Sequence, residues 1–280
     1  MDEQDLLTPA EVAGADELYW TLDSLDPRVR PAVTIEPGPG RRIVVAAHGG
    51  GGLTITYREH TADAVRRVED VDVLAAHRAI MACLRGASGW HQVLDQVGGS
   101  FGTAGVDTDY EPTGLSVANA VLDDGKRRRR RGLPTVGNAI GWGARRVTTG
   151  DTWRGVPDSG TVTVRALRPD PVHEHGIAIR AAGGTLSVGG APAAEVIVWP
   201  TAEDPETVVA YVSPAPALQV CNVYLLRGAA WERVDRWSEQ AGMVVEAAGD
   251  AERVYHCNHA STTPPTFADL TVRLRLGPPA

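Results

Sequence analysis

The chain has 280 residues, of which 43% are apolar and 22% charged, a composition that excludes a disordered protein and allows one large or two medium domains. Its net charge of −8 disfavours nonspecific binding to nucleic acid or to an anionic membrane. The three cysteines include no CxxC pair, so a disulfide framework is not expected.

The beginning of the sequence, MDEQDLLTPAEV, is acidic and lacks the apolar stretch of a signal peptide. No segment approaches the roughly 20 consecutive apolar residues of a membrane-spanning helix. We therefore expect a cytoplasmic protein without a membrane partner. Lys126 is the only lysine among the 27 basic residues, and this preference for arginine is typical of a GC-rich bacterial genome.

The first part of the chain shows mixed helix and strand patterns. TPAE at residues 8–11 is a capping box, which predicts the start of a helix. Two apolar segments flank the glycines within residues 44–57, and their alternation predicts a β-hairpin. Helical periodicity over 68–85 predicts a second helix, and WHQVLDQV predicts a shorter third one. Residues 1–118 are therefore expected to form a small α+β region.

Residues 119–143 have a different composition. They are rich in glycine and arginine and include six consecutive cations, Lys126 to Arg131. Such a run can bind nucleic acid, but the acidic remainder of the chain and the absence of interleaved aromatic residues oppose that function. We interpret the segment as a solvated connector between two structured parts.

Residues 144–280 contain many short apolar segments separated by turn residues. In the last one, Leu270, Val272, Leu274 and Leu276 alternate with polar residues, as in a half-buried strand. Short strands at this spacing predict an all-β sandwich or jelly roll of about eight to nine strands. The expected fold class is therefore α+β, with a small α+β N-terminal region followed by a β-sandwich.

Two pairs of potential metal ligands lie in the predicted sandwich. His173 and His175 are two residues apart, and so are Cys257 and His259. Residues two apart on a strand point to the same face, and three imidazoles with one thiolate make an acceptable tetrahedral zinc set. The alternative is that these are loop histidines and a buried cysteine that packs as a small apolar residue.

An aromatic and cationic segment near the middle of the sandwich is the best predicted binding surface. Tyr224, Trp231 and Trp237 lie close together in sequence and are interleaved with arginines such as Arg233. We expect Trp231 and Trp237 in a sandwich loop, where aromatic platforms bind carbohydrates or anchor a protein partner. Packing of these aromatic side chains in the core is the alternative.

Two further motifs are weaker. His48 and the following glycines resemble the oxyanion loop of some esterases, and Ser100 lies in a GxSxG sequence, but Ser100 follows a helix pattern instead of a strand. Asp107, Asp109 and Glu111 alternate like cation ligands but lack the glycine and distal glutamate of an EF-hand.

The sequence alone therefore favours a non-catalytic binding protein without a cofactor, whose partner is a protein or a carbohydrate. The expected ligand-binding residues are Tyr224, Trp231, Arg233 and Trp237. The alternative is a zinc-dependent enzyme that uses His173, His175, Cys257 and His259, and a serine hydrolase that uses Ser100 is a more remote one.

Overall fold

A computed structural model describes residues 6–7, 14–48, 52–58, 65–95, 108–135, 139–228 and 231–278. Strands hold 48% of these described residues and helices 17%, so the described structure is mainly β and confirms the predicted fold class. The chain divides into two compact units, Met1–Leu115 and Ser116–Ala280. In the described ranges, no helix has the length and apolar character needed to cross a membrane.

The first unit contains a five-stranded sheet. Its strands are β1 (Leu6–Leu7), β2 (Ala32–Gly38), β3 (Arg41–Ala47), β4 (Leu53–Arg58) and β5 (Val65–Val71). They lie side by side in chain order; β1 is parallel to β2, and the other neighbours are antiparallel. β3 and β4 flank the glycine stretch, although residues 49–51 and the capping box at 8–11 lie outside the described residues.

The described part of the same unit contains three helices, α1 (Ala15–Asp23), α2 (Val73–Leu84) and the short α3 (Gln92–Asp95), with a 3₁₀ helix at Glu111–Thr113. α2 begins later than the sequence predicted, because Asp72 is its N-cap and accepts a 2.9 Å hydrogen bond from the backbone N–H of Ala75. The residues immediately before Asp72 belong to β5 instead.

Most of the expected connector at 119–143 is folded. Helix α4 (Val117–Arg130) begins at Ser116, whose side chain accepts a hydrogen bond from the backbone of the first turn. The cationic run forms its last turns, where the helix dipole favours positive charge. Arg128 also binds Asp124 one turn earlier, at 2.5 Å. The interpretation of this run as a solvated linker was therefore wrong.

The second unit contains fourteen strands in its described part. They are β6 (Ile140–Trp142), β7 (Arg145–Thr148), β8 (Asp151–Arg154), β9 (Ser159–Arg168), β10 (His175–Ala181), β11 (Thr185–Val188), β12 (Ala191–Ala193), β13 (Val196–Val198), β14 (Glu206–Val212), β15 (Ala217–Gly228), β16 (Trp231–Asp235), β17 (Gly242–Gly249), β18 (Glu252–Asn258) and β19 (Leu270–Gly277). Nine form one antiparallel sheet in the order β12-β11-β14-β9-β19-β18-β17-β7-β6. The other five form a sheet in the order β13-β10-β15-β16, with β8 also paired to β15.

The two sheets face each other across an apolar core, which confirms the predicted sandwich. Leu270, Val272 and Leu274 of β19 are completely buried, as their period of two predicts. They share one hydrophobic cluster with Ile177 and Val220 of the opposite sheet. Burying a side chain of this size stabilises a fold by about 1.5–3 kcal/mol. The core therefore holds β10 against β18. The polar ends of these two strands meet at one edge of the sandwich.

Candidate functional site

Three histidines meet where β10 begins and β18 ends, and we call them the histidine cluster: His173, His175 and His259. The rings of His173 and His259 are stacked, with centroids 3.9 Å apart and an interplanar angle of 10°. The ring of His175 approaches His259 edge-on at 5.6 Å. The sandwich thus brings together histidines that are more than 80 residues apart in the sequence.

Asp170 joins two members of the cluster. Its Oδ2 lies 3.0 Å from Nδ1 of His173 and 3.1 Å from Nδ1 of His175. The backbone N–H groups of Val172 and His173 also donate to Oδ1. Burial raises the pKa of Asp170, but the hydrogen bonds from His175 and from these backbone groups outweigh it and hold the pKa well below its usual value. The buried Asp170 side chain is therefore an ionised carboxylate.

His175 lies between two buried partners. The amide nitrogen of Asn222 donates to the carbonyl oxygens of Gly242 and Asn258, so the Oδ1 atom of Asn222 is the atom that faces His175. The Nε2 atom of His175 lies 2.5 Å from that oxygen, and its Nδ1 atom lies 3.1 Å from the Asp170 carboxylate. His175 thus links Asp170 to Asn222 in a buried hydrogen-bond network.

His259 has the opposite character. The backbone N–H of Ser261 donates to Nδ1 of His259 over 3.2 Å, which makes Nδ1 an acceptor and places the ring hydrogen on Nε2. Burial and the neighbouring His173 and His175 lower the pKa of His259 to about 4. The ring is therefore neutral at neutral pH, and its buried Nε2 has no hydrogen-bond partner among the described residues.

Ser261 lies between two of the imidazoles. Its Oγ is 2.8 Å from Nδ1 of His259 and 3.3 Å from Nε2 of His173. The residue is exposed, in contrast to the buried His259. Neither Asp170 nor Ser261 was among the predicted site residues.

Cys257 does not join the histidine cluster. It is completely buried in the hydrophobic core of the sandwich, where burial raises the pKa of its thiol far above the usual value. The expected pairing with His259 was wrong because β18 ends at Asn258, so the alternation of a strand does not extend to His259. In the described part of the chain, no group of three or more His, Cys, Asp or Glu side chains is arranged to hold a metal ion.

Tyr224 is buried and is not part of an exposed binding surface. Its ring lies edge-on to His259 at 5.0 Å, beneath the histidine cluster. Its hydroxyl lies 2.7 Å from the hydroxyl of Ser238 and accepts a 3.0 Å hydrogen bond from the backbone N–H of that residue. Burial raises the pKa of Tyr224. Tyr224 thus anchors the segment after β16.

The other three predicted binding residues do not form one loop surface. Trp231 and Arg233 belong to β16, which pairs with β15, and the guanidinium of Arg233 lies 5.5 Å from the indole of Trp231. Trp237 lies after the strand and lines a separate cavity of about 290 Å³ with Cys221 and Glu195. Trp231 and Trp237 are both exposed.

A larger cleft lies beside the histidine cluster, with a volume of about 870 Å³, and we call it the Trp199 cleft. Its apolar surface comes from Trp199, Leu225 and Val234, and His173 also lines it. The ring of Trp199 lies across the backbone of Gly176, where an added Cβ would come within 2.9 Å of its Cε3 atom. A tryptophan and a proline directly after a short apolar strand were the only sequence signal for this platform.

Carboxylates outnumber cations in the Trp199 cleft. Glu174, Glu203 and Glu232 line it. Arg227 binds Glu174 at 2.7 Å and Glu232 at 3.0 Å. Among the described residues, no cation pairs with Glu203. The cleft therefore presents a negative surface next to an aromatic one.

Comparisons of the chain with protein-family models, with curated proteins and with solved structures found no match. The functional assignment therefore rests on the side chains of the Trp199 cleft and of the histidine cluster.

Proposed function

We propose that the β-sandwich is a binding module that holds an arginine- or lysine-bearing peptide in the Trp199 cleft. The observation that carries this proposal is the combination of an exposed indole, neighbouring apolar side chains and an excess of carboxylates in one cleft. A volume of about 870 Å³ lies within the range of ligand sites, which are roughly 300–1,000 Å³.

The indole of Trp199 supports a cationic ligand. One side of the ring lies against the backbone at Gly176, yet 37% of the residue stays exposed. A guanidinium or ammonium over the face of a tryptophan gains about 0.5–2 kcal/mol, and more when water is excluded. Leu225 and Val234 give the aliphatic part of an arginine or lysine side chain an apolar surface to cover.

Glu203 also favours a positively charged ligand. Glu174 and Glu232 share one guanidinium, that of Arg227, whereas no cation of the described residues neutralises Glu203. A ligand cation over Trp199 would therefore complete a charge pair. The net charge of −8 also attracts a basic partner over longer distances.

The position of β16 in its sheet favours a peptide as the ligand. β16 is the last strand of its sheet, and no strand in the described part of the chain pairs with its outer side. Glu232 and Val234 of this strand line the cleft. An extended peptide can add to such an edge through backbone hydrogen bonds while alternate side chains enter the neighbouring cleft.

Calorimetric titration tests this proposal. The ligands are blocked peptides that carry Arg or Lys, peptides of equal length that carry Glu, and neutral oligosaccharides. We expect only the basic peptides to bind, and Trp199→Ala to weaken binding by about 2- to 30-fold, the range that corresponds to a cation–π contact.

Trp231→Ala is the matched control. Trp231 is also exposed, but alternation along β16 places it on the face opposite Val234, so its loss should leave the affinity unchanged. Trp199-dependent binding of neutral oligosaccharides would contradict the peptide assignment, and failure of every ligand to bind would contradict a binding function for the cleft.

A further inference from the structure

We infer that Ser261 is a nucleophile, that His173 is its general base and that Asp170 orients the imidazole, so that this group acts on esters. The inference goes beyond peptide binding and does not depend on Trp199 or Glu203. Its basis is a serine hydroxyl within reach of an imidazole that a buried carboxylate holds in place. This arrangement defines an activated nucleophile on many unrelated folds, whatever the order of the three residues in the chain.

The two nitrogens of His173 face different partners. Nδ1 lies 3.0 Å from Oδ2 of Asp170, so in the neutral ring Nδ1 carries the hydrogen and donates it to the carboxylate. Nε2 is then an acceptor, and it lies 3.3 Å from Oγ of Ser261. Distances of this length are common in free enzymes and shorten when substrate binds. His173 is thus fixed in the tautomer that can take the hydroxyl proton.

His259 also faces Ser261, and it is the closer of the two imidazoles. Its Nδ1, however, already accepts the backbone N–H of Ser261, and no carboxylate supports its other nitrogen. Protonation would place an unpaired charge in a buried ring, which costs free energy. A proton from Ser261 is better stabilised on His173, whose side chain is 27% exposed and whose partner Asp170 is ionised.

Asp170 is itself held rigidly. Two backbone N–H groups donate to its Oδ1, and Nδ1 of His175 lies 3.1 Å from its Oδ2. His175 is in turn held by Asn222. His175 and Asn222 are therefore positioning residues, which keep the carboxylate directed toward Nδ1 of His173.

The reaction that fits this geometry is ester hydrolysis through an acyl-enzyme. The Oγ of Ser261 forms a bond to the ester carbonyl carbon while its proton moves to Nε2 of His173. The bond to the alcohol oxygen then breaks, and the alcohol leaves with that proton. Water next attacks the acyl carbon, gives one proton to Nε2 and displaces the serine, which takes the proton back. Ester and water are the only reactants, so no oxidant or metal is required.

Labelling with a fluorophosphonate probe tests the inference on the full chain. The probe should modify the wild-type protein once, at Ser261, as identified by intact mass and peptide mapping. Ser261→Ala should abolish labelling, and His173→Gln should slow it by about 100-fold or more, the effect of losing a general base. The control is Ser24→Ala, because Ser24 is exposed and its hydroxyl donates only to the backbone oxygen of Thr21.

A second variant separates activation of Ser261 from a purely structural role. Ser261→Cys places a thiol beside the same imidazole, and the pH profile of its alkylation reports the thiolate. The midpoint should lie at lower pH with His173 present than in the His173→Gln background.

Three results would overturn the inference: no labelling of Ser261, labelling that is unaffected by His173→Gln, or identical thiol profiles in the two backgrounds. These results are independent of peptide binding, which depends on Trp199, so each proposal can fail without the other.

Discussion

The Nε2 atom of His175 lies 2.5 Å from Oδ1 of Asn222, in a buried contact between the two sheets of the sandwich. The other nitrogen of the same ring faces Asp170, and the amide nitrogen of Asn222 donates to backbone oxygens of the opposite sheet. One imidazole therefore links the Trp199 cleft to the interior of the sandwich.

Removal of His175 should destabilise the C-terminal unit. His175→Ala leaves the buried Asp170 carboxylate and the Oδ1 atom of Asn222 without their partner on this ring, and a buried acceptor left unsatisfied costs about 1–3 kcal/mol, and more when it is charged. Urea denaturation followed by circular dichroism measures this loss. His256→Ala is the control, because the Glu246 side chain that His256 contacts at 3.4 Å is 65% exposed, and such a pair contributes about 0–1 kcal/mol. Equal effects of the two substitutions would contradict the buried hydrogen-bond network.

Stability should decrease as the pH falls from about 6.5 to about 4. Burial lowers the pKa of His259, and also that of His77 in the N-terminal unit, from 6.5 to about 4. The unfolded chain therefore binds these protons first, and the stabilisation present above pH 6.5 is lost in this window. Each of the two imidazoles accounts for about 3 kcal/mol of this lost stabilisation.

Denaturation curves at pH 5 and pH 7.5 measure this effect. His259→Gln should reduce the difference between the two pH values in the C-terminal unit, and His77→Gln should do the same in the N-terminal unit. A wild-type protein that is equally stable at both pH values would contradict the assignment of two buried neutral imidazoles.

A methyl group at Gly176 should disturb the platform of the Trp199 cleft. Gly176→Ala places a Cβ against the backbone oxygen of Val198 and within 2.9 Å of the Trp199 ring, and overpacking of this kind costs about 1–3 kcal/mol. The variant should unfold at a lower urea concentration and bind basic peptides more weakly. Gly125→Ala is the control, because nothing lies within 4 Å of the added Cβ in helix α4, where alanine stabilises by about 1 kcal/mol. The two substitutions should therefore shift stability in opposite directions.

Cys257 should be unreactive in the folded protein. Its complete burial and raised thiol pKa prevent attack on a disulfide reagent, which requires an accessible thiolate. Mass spectrometry after a short exposure at pH 8 should find Cys257 unmodified, and exposure in 6 M guanidinium serves as the positive control. Rapid native modification of Cys257 would contradict its place in the core.

Much of the C-terminal fold was predictable because its signals are local. Leu270, Val272 and Leu274 alternate with polar residues, and that period places them in a core whatever their partners are. Lys126 to Arg131 misled the prediction, because a charged run resembles a solvated linker unless its N-terminal cap and its pairs one turn apart are considered.

The candidate site was predictable only in part. The spacing of His173 and His175 indicated a shared site, but their approach to His259 depends on packing of two sheets, which no local pattern encodes. Asp170 has a local signal, since an aspartate that precedes a histidine by three residues can accept its backbone N–H. Almost no local sequence signal marked Trp199, because its exposure depends on the glycine at position 176 of a neighbouring strand.

The most direct test of the central claim, that the Trp199 cleft binds a basic peptide, is titration of Glu203→Lys against wild type at low and at physiological salt. The account predicts that the reversed charge weakens binding by at least about tenfold at low salt, and that added salt reduces this difference because it screens the exposed carboxylate. Equal affinity of the two proteins for the peptide at low salt would contradict the claim.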